Sequence, residues 1–587
     1  MITSVKPGNV KLYKSLFTDR MKVNRDYLLE LDTACLLQNF YFEAGIVTPK
    51  SPVNCPPSEI KMHWGWESPD CQLRGHFLGH FMSAASMLIA ENNDPELKAK
   101  LDFIVDELAK CQELNGGEWI GSIPEKYFDF LERNIYVWSP QYTMHKTLMG
   151  LTHAYAFTNN EKALTILENI AKWYTRWTAR MSEVAPEAIF GGEMGGMPEI
   201  WAFLYELTAN HAFLDLAEVY SGHPLYKSLA SGKDALTNMH ANESIPLAHG
   251  AAKMYEITHN DKWLKIVKNF WKKAVTDRGM FATSGSNAGE FWIPPRKHAD
   301  YIGDRNQEFC TVYNMVRIAD YLFKFTGDKE YADYIERCLY NGFLAQQNKY
   351  TGMPTYFLPM KKGSVKKWGS KTNDFWCCFG TMIQAQTLYP NLIYYRDDNR
   401  IYLNQYIPSS YVEDGIEISL TSNMKFYSNN VLFDTAGTGD TSRWSFKLKV
   451  KSKEFFTISL RIPDWIEGKP SVKLDGKPFT DAVVENGYLS ITKLWNDDEI
   501  EILFIPKIIY EPVEGSKNLI SVLEGPIVLA ALLNGDNLGR KEVTGKLRVH
   551  LEHTYSEFPW LQSSYYVDNT EFVPLYEVTE EQYQIIF

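Results

Sequence analysis

No window of the 587-residue sequence approaches the ~18 uninterrupted apolar residues of a membrane-spanning helix. The best candidate, Leu519–Leu533, is broken by Glu524, Gly525 and Pro526, so no membrane partner is expected. The opening MITSVKPGNVKLYKSLF spreads its charges and has no apolar core, so it does not read as a signal peptide and a cytoplasmic location is expected. Eight cysteines are far too few for a disulfide scaffold. Positive charge is in deficit too: 60 Lys+Arg against 72 Asp+Glu leave a net −12. Gripping nucleic acid requires a concentrated basic surface, so no nucleic-acid partner is expected. A 45% apolar fraction excludes general disorder.

What the sequence has is aromatics, 14% of the chain, and an internal repeat. YAFTNNEKAL (155–164), YELTANHAFL (205–214), YEITHNDKWL (255–264) and FKFTGDKEYA (323–332) share one pattern, and AENNDPEL (90–97) is a degenerate earlier copy. Thr158, Thr208 and Thr258 are spaced by 50 residues. Thr is weak inside helices, while Asn and Asp tolerate tight turns and cap the next helix, so each copy reads as helix, turn, helix. The flanks carry helical spacing, as in Ile166, Ile170, Trp173 and Trp177. Five hairpins, a start near Asp19–Phe42 and a last helix near Gly380–Tyr389 give about twelve helices, the number an (α/α)6 barrel needs; solenoids use shorter periods.

After about Asn391 the texture changes to period-two alternation, as in GIEISLTS, RWSFKLKV and EIEILFIP, with turns such as Asp475-Gly476. The expected fold class is mainly α with β: an (α/α)6 barrel catalytic domain followed by one or two β-sandwich domains. The expected divisions are an N-terminal segment 1–18 whose strand joins the β region, the barrel at 19–393, a β-sandwich at 394–512 and a second β-rich domain at 513–587.

Three segments carry reactive side chains. DRNQEFCTVYNMVRI (304–318) places Glu308 and Cys310 ahead of a helix, two apart, a spacing that suits an extended segment. DFWCCFGTMIQ (374–384) has adjacent Cys377 and Cys378 before another helix. One carboxylate and three thiols suffice for a tetrahedral Zn²⁺ site, although buried cysteine is also a common small core residue. SGSNAGE (284–290) ends in Glu290 beside Phe291 and Trp292, where a partly desolvated carboxyl suits proton donation. His76 and His80, four apart in LRGHFLGH, lack the intervening Glu of a metalloprotease pair; with His145 and His240 they serve equally for core hydrogen bonds or sugar hydroxyls.

Together, Gly65-Trp66-Glu67, LRGHFLGH, MGGMPEI (194–200), HANESIP (240–246), GSNAGE, EFC, ERCLYNG (336–342), FWCCFGT and RIPDW (461–465) resemble the β-L-arabinofuranosidases of glycoside hydrolase family 127 and its sister family 146. The likeness runs over nearly the whole chain, and FWCCFGT is closer to the sister-family form. It implies an (α/α)6 barrel with β-sandwiches and hydrolysis of β-linked L-arabinofuranose with retention. By the same resemblance, Cys377 is the nucleophile, Glu290 the acid/base, and Glu308, Cys310, Cys377 and Cys378 the Zn²⁺ ligands. Gln38, His145, His240, Glu336 and Tyr356 are the implied sugar contacts. Some family members have a histidine near MGGMPEI; here Glu193 or Glu199 stands in its place. The implied partner is an oligosaccharide or glycoside, with a homodimer as the expected assembly. Two other readings stay open from the residues alone: a sugar 2-epimerase using the histidines, and a carbohydrate-binding protein without catalysis.

Overall fold

Four of the five helical hairpins turn on a Thr, a left-handed residue and an Asn or Asp, and the first on a shortened form of it. In the computed structural model, which describes residues 1–47, 61–422, 444–480, 483–535, 538–546, 548–551, 563–567 and 569–587, the hairpins pair His76–Asn92 with Pro95–Leu114, Pro140–Thr158 with Glu161–Val184, Met197–Thr208 with His211–Tyr220, Ala241–Thr258 with Asp261–Trp271, and Phe309–Thr326 with Lys329–Cys338. Parts of the expected sandwich at 394–512 and of the region 513–587 lie outside the described residues.

Thr158, Thr208, Thr258 and Thr326 each donate Oγ1 to the carbonyl four residues back, at 2.7, 2.7, 2.5 and 2.9 Å. The residue after each is left-handed: Asn159 (φ 55°), Ala209 (56°), His259 (51°) and Gly327 (73°). Next come Asn160, Asn210 and Asn260, whose side chains accept backbone N–H groups of the following helix. In the degenerate copy Asn93 (φ 52°) reverses the chain and Asp94 caps. Each second helix then buries one stripe; in Asp261–Trp271 it is Trp263, Ile266, Val267, Phe270 and Trp271.

Two compact units result: residues 24–276 with 368–387, and residues 1–23, 277–367 with 388–587. The first is helical, built on four of the hairpins. The second holds the fifth hairpin, a small four-stranded sheet and three larger sheets. In a seven-stranded sheet, Ile416–Ser422, Trp444–Lys451 and Asp498–Phe504 run antiparallel, and the alternating burial of Trp444–Lys451 shows one face inward. Thr3–Ser4 pairs with Tyr394–Asp397, and Val10–Leu12 with Ser409–Glu413. By class this is an α/α-toroid region followed by open β-sheets of sandwich type. Among the described residues no helix is long and apolar enough to cross a membrane.

Two boundaries differ from expectation. The first helix opens at Leu16, ahead of Asp19. The last runs Cys377–Ala385, opening before Gly380 and ending before Tyr389. Gly380 lies inside that helix, where a Cβ would collide with the His80 ring.

Candidate active site

The acid/base candidate stands on strands only two or three residues long. Asn287–Ala288 and Phe291–Trp292 form a hairpin whose turn is Gly289 and Glu290. The hairpin pairs with Asn306–Glu308, which pairs in turn with Phe357–Leu358. Gln307, at φ 45°, sits where the register with Phe357–Leu358 shifts, a bulge that re-aims the carboxylate of Glu308. Phe309 N–H donates to Tyr356 O at 3.0 Å, fixing Tyr356 at the start of the outer strand. The sheet thereby joins Glu290 and Tyr356, whose hydroxyl donates to Glu290 Oε1. Both are half-buried. Cys310 lies in the first turn of Phe309–Thr326 rather than on an extended segment, because the bulge ends the strand at Glu308.

The paired thiols open a buried helix. Cys377 and Cys378 are the first two residues of Cys377–Ala385, preceded by Phe375 at φ 48°, a left-handed conformation costly for an aromatic residue. His76 holds this entry: Nε2 donates to Phe375 O at 2.8 Å, while Nδ1 accepts from Tyr142 Oη at 3.3 Å. Behind His76, Glu67 accepts from Gly75 N at 2.6 Å, Phe77 N at 2.9 Å and Asn39 Nδ2 at 3.1 Å. Burial lifts the Glu67 carboxyl to about 7, and burial holds His76 down at about 4. Their 3.6 Å approach is therefore not a full ion pair at neutral pH. Glu67 and His76 stood in motifs, but nothing local marked them as the brace of the cysteine helix.

One ligand atom from each of Glu308, Cys310, Cys377 and Cys378 lies within 4.8 Å of the others, and all four residues are buried. The Sγ atoms of Cys377 and Cys378 are 4.0 Å apart. A tetrahedral zinc with Zn–S bonds of about 2.3 Å asks for sulfurs about 3.8 Å apart, so this donor set fits such an ion.

Residues 9–391 match the family model described as "Beta-L-arabinofuranosidase, GH127 catalytic domain", and residues 400–505 match the GH127 middle domain. The chain belongs to the GH127 family. The non-reducing end β-L-arabinofuranosidase of Bifidobacterium longum subsp. longum is 21% identical over 523 residues, spanning 77% of this chain and 74% of that protein. A GH127 β-L-arabinofuranosidase of Geobacillus stearothermophilus T6 superposes with a TM-score of 0.71 at 18% identity, covering 98% of this chain and 99% of that one. A further GH127 β-arabinofuranosidase gives 0.72 at 18% identity, covering 100% and 97%. The protein is a glycoside hydrolase of the GH127 type, and its thiol and carboxylate cluster suits the cysteine-nucleophile, glutamate acid/base chemistry of that family.

The remaining expected contacts of this GH127 chain are placed as follows. Gln38 spends its amide on backbone: Nε2 donates to His63 O and Glu67 O, and Oε1 accepts from His63 N, each at 2.9 Å. His240 caps Ala241–Thr258 by accepting from Glu243 N at 3.1 Å. His145 is buried with its ring against Gly196, which has no room for a Cβ. Glu336 is buried: Oε1 accepts from Arg461 Nη2 and Oε2 from Trp465 Nε1, both at 2.6 Å. Glu199 lies 3.6 Å from His249 Nδ1. His80 Nδ1 meets Gln384 Oε1 at 2.5 Å. Burial lowers the pKa of both His76 and His80, and His240 caps a helix.

Proposed function

We propose that the protein is a retaining glycoside hydrolase that releases β-linked L-arabinofuranose, or a closely related sugar, from oligosaccharides or glycoconjugates. Cys377 is the nucleophile, Glu290 the acid/base, and Glu308, Cys310, Cys377 and Cys378 hold Zn²⁺. The observation that carries this reading is the convergence of four buried ligand atoms within 4.8 Å in a GH127 chain.

A free thiol, pKa ~8.5, is mostly protonated at neutral pH. Zinc, when bound, holds the thiols as thiolates and spreads their charge. Cys377 Sγ forms a bond to the anomeric carbon as the glycosidic C–O bond breaks, and Glu290 gives its proton to the departing oxygen. The Tyr356 hydroxyl, donating to Glu290 Oε1, orients that carboxyl. Glu290 then takes a proton from water, whose oxygen attacks the anomeric carbon while the C–S bond breaks and returns the thiolate. Two displacements preserve the anomeric configuration. The cysteine occupies the position that a second carboxylate holds in most retaining enzymes.

The test combines metal analysis with NMR of the first-formed sugar from a p-nitrophenyl β-L-arabinofuranoside. One equivalent of zinc and initial release of the β-anomer are expected. Metal-free protein of full activity, inverted product, or isomerisation of a free sugar would overturn the reading.

A further inference from the structure

Three helices of the first compact unit approach one another at glycines. A Cβ on Gly79 would meet Lys146 O, and one on Gly150 would meet Gly79 O, so the backbones of His76–Asn92 and Pro140–Thr158 touch there. A Cβ on Gly380 would meet the His80 ring, which sets the cysteine helix Cys377–Ala385 against the first of these two.

One chain of hydrogen bonds ties the three helices together. His80 Nδ1 donates to Gln384 Oε1 at 2.5 Å, Gln384 Nε2 donates to Ser83 Oγ at 2.6 Å, and Ser83 Oγ donates to His153 Nδ1 at 2.6 Å. The direction is set at its centre, because an amide oxygen only accepts and an amide nitrogen only donates. The imidazole therefore gives its proton at Nδ1, and His80 Nε2, which has no hydrogen-bond partner among the described residues, keeps a lone pair. Met149 Sδ, at 3.6 Å, is a weaker second acceptor for Gln384 Nε2. His80, Ser83 and Gln384 are fully buried, and His153 is half-buried.

Burying so many polar groups is costly, and apolar side chains of similar size would fill the same space. Apolar contacts, however, tolerate sliding of one helix along another, whereas paired donors and acceptors admit one offset. Gln384 lies seven residues beyond Cys377, within about 20° of two full helical turns, so both share one helix face. Ahead of that helix, His76 donates to Phe375 O at 2.8 Å. The cysteine helix is thus pinned to His76–Asn92 just before its first residue and again near its last. A slip of one residue would move Cys377 by about 1.5 Å and turn it by about 100°.

We propose that Gln384, locked by His80 and Ser83, is a positioning residue for the nucleophile: it sets the offset and rotation of the cysteine helix, and through them the places of the Cys377 and Cys378 sulfurs. The inference rests on the cysteine-nucleophile reading above. Gln384 acts through the helix backbone, two turns away from the thiols.

The test replaces the amide by a thioether of similar volume in Gln384→Met, deleting both hydrogen bonds. Each protein is loaded with Co²⁺, whose thiolate-to-metal and visible absorption bands report the placement of the sulfurs without any turnover. Gln384→Met is expected to shift or weaken those bands and to lower kcat about tenfold on p-nitrophenyl β-L-arabinofuranoside, with KM within about twofold. Ser83→Ala, which takes one strong partner from the amide, moves the bands in the same direction and lowers kcat about threefold. Should Gln384→Met not fold, Ser83→Ala decides by the same bands. A lower melting temperature with bands and kcat unchanged would leave the network a packing device and overturn the proposal. Thiolate bands absent from the unaltered protein would overturn the cysteine site and this role with it. Bands present without turnover would overturn only the arabinofuranosidase activity, and the role of Gln384 then stands or falls on whether its replacement moves them.

Discussion

The two groups assigned to the chemistry are held in opposite ways. Cys377 opens a buried helix, and its entry is braced by His76, which is backed in turn by Tyr142 and Glu67. Glu290 occupies a two-residue hairpin tip, half-buried, and accepts a hydrogen bond from the Tyr356 hydroxyl. The difference follows from the work required. A nucleophile must meet one carbon along one line, whereas an acid/base must reach a departing oxygen and then a water molecule. Rigid support suits the first, and a short adjustable tip suits the second.

Four measurements break or sharpen this contrast. The largest effect is expected at the rigid end: Cys377→Ser lowers kcat by about 10³-fold or more on every substrate, because the nucleophile is lost whatever the leaving group. At the adjustable end, Glu290→Gln costs about 10²–10⁴-fold on alkyl glycosides and far less on p-nitrophenyl glycosides, whose leaving group needs no proton. Uniform losses across leaving groups would remove Glu290 from the acid role. Tyr356→Phe removes one hydroxyl from the tip and lowers kcat by about tenfold with KM nearly unchanged.

The smallest effect is on stability. Burial raises the Glu67 carboxyl from 4.5 to about 7, so the folded state holds its proton more tightly than the unfolded chain. Its contribution therefore favours the fold below pH 4.5 and is lost as pH rises through about 7. His76, lowered from 6.5 to about 4, contributes in the opposite sense, gaining stability between those values as pH rises. In Glu67→Gln the melting temperature falls less between pH 4.5 and 7 than in the unaltered protein, as thermal scans at fixed ionic strength would show.

The helical hairpins were legible because their punctuation is local. Thr, a left-handed residue and an Asn or Asp cap fall within three positions, and the chemistry of each is independent of what packs above it. The four ligand residues and Glu290 stood out by residue type and by their places ahead of helices and at a loop end, but their roles came from the motif resemblance, since residues so far apart carry no pairing signal. The sheet beneath Glu290 was not legible, because strands such as Asn287–Ala288 are too short to show a period of two. Nor was the saturation of Glu336, whose partner Arg461 lies 125 residues onward. The sequence places the start of the last helix three residues late, near Gly380; glycine is a poor helix former, yet here it lies inside the helix and makes space for an imidazole.

The irregularity at Gln307 makes this stretch sensitive to length as well as to composition. Deleting one residue there would remove the irregularity and shift the register by one, turning the Glu308 carboxylate away from the thiols. A conservative point change at Gln307 preserves that count; a single-codon loss does not, so tolerance to indels should vanish here before tolerance to substitution does.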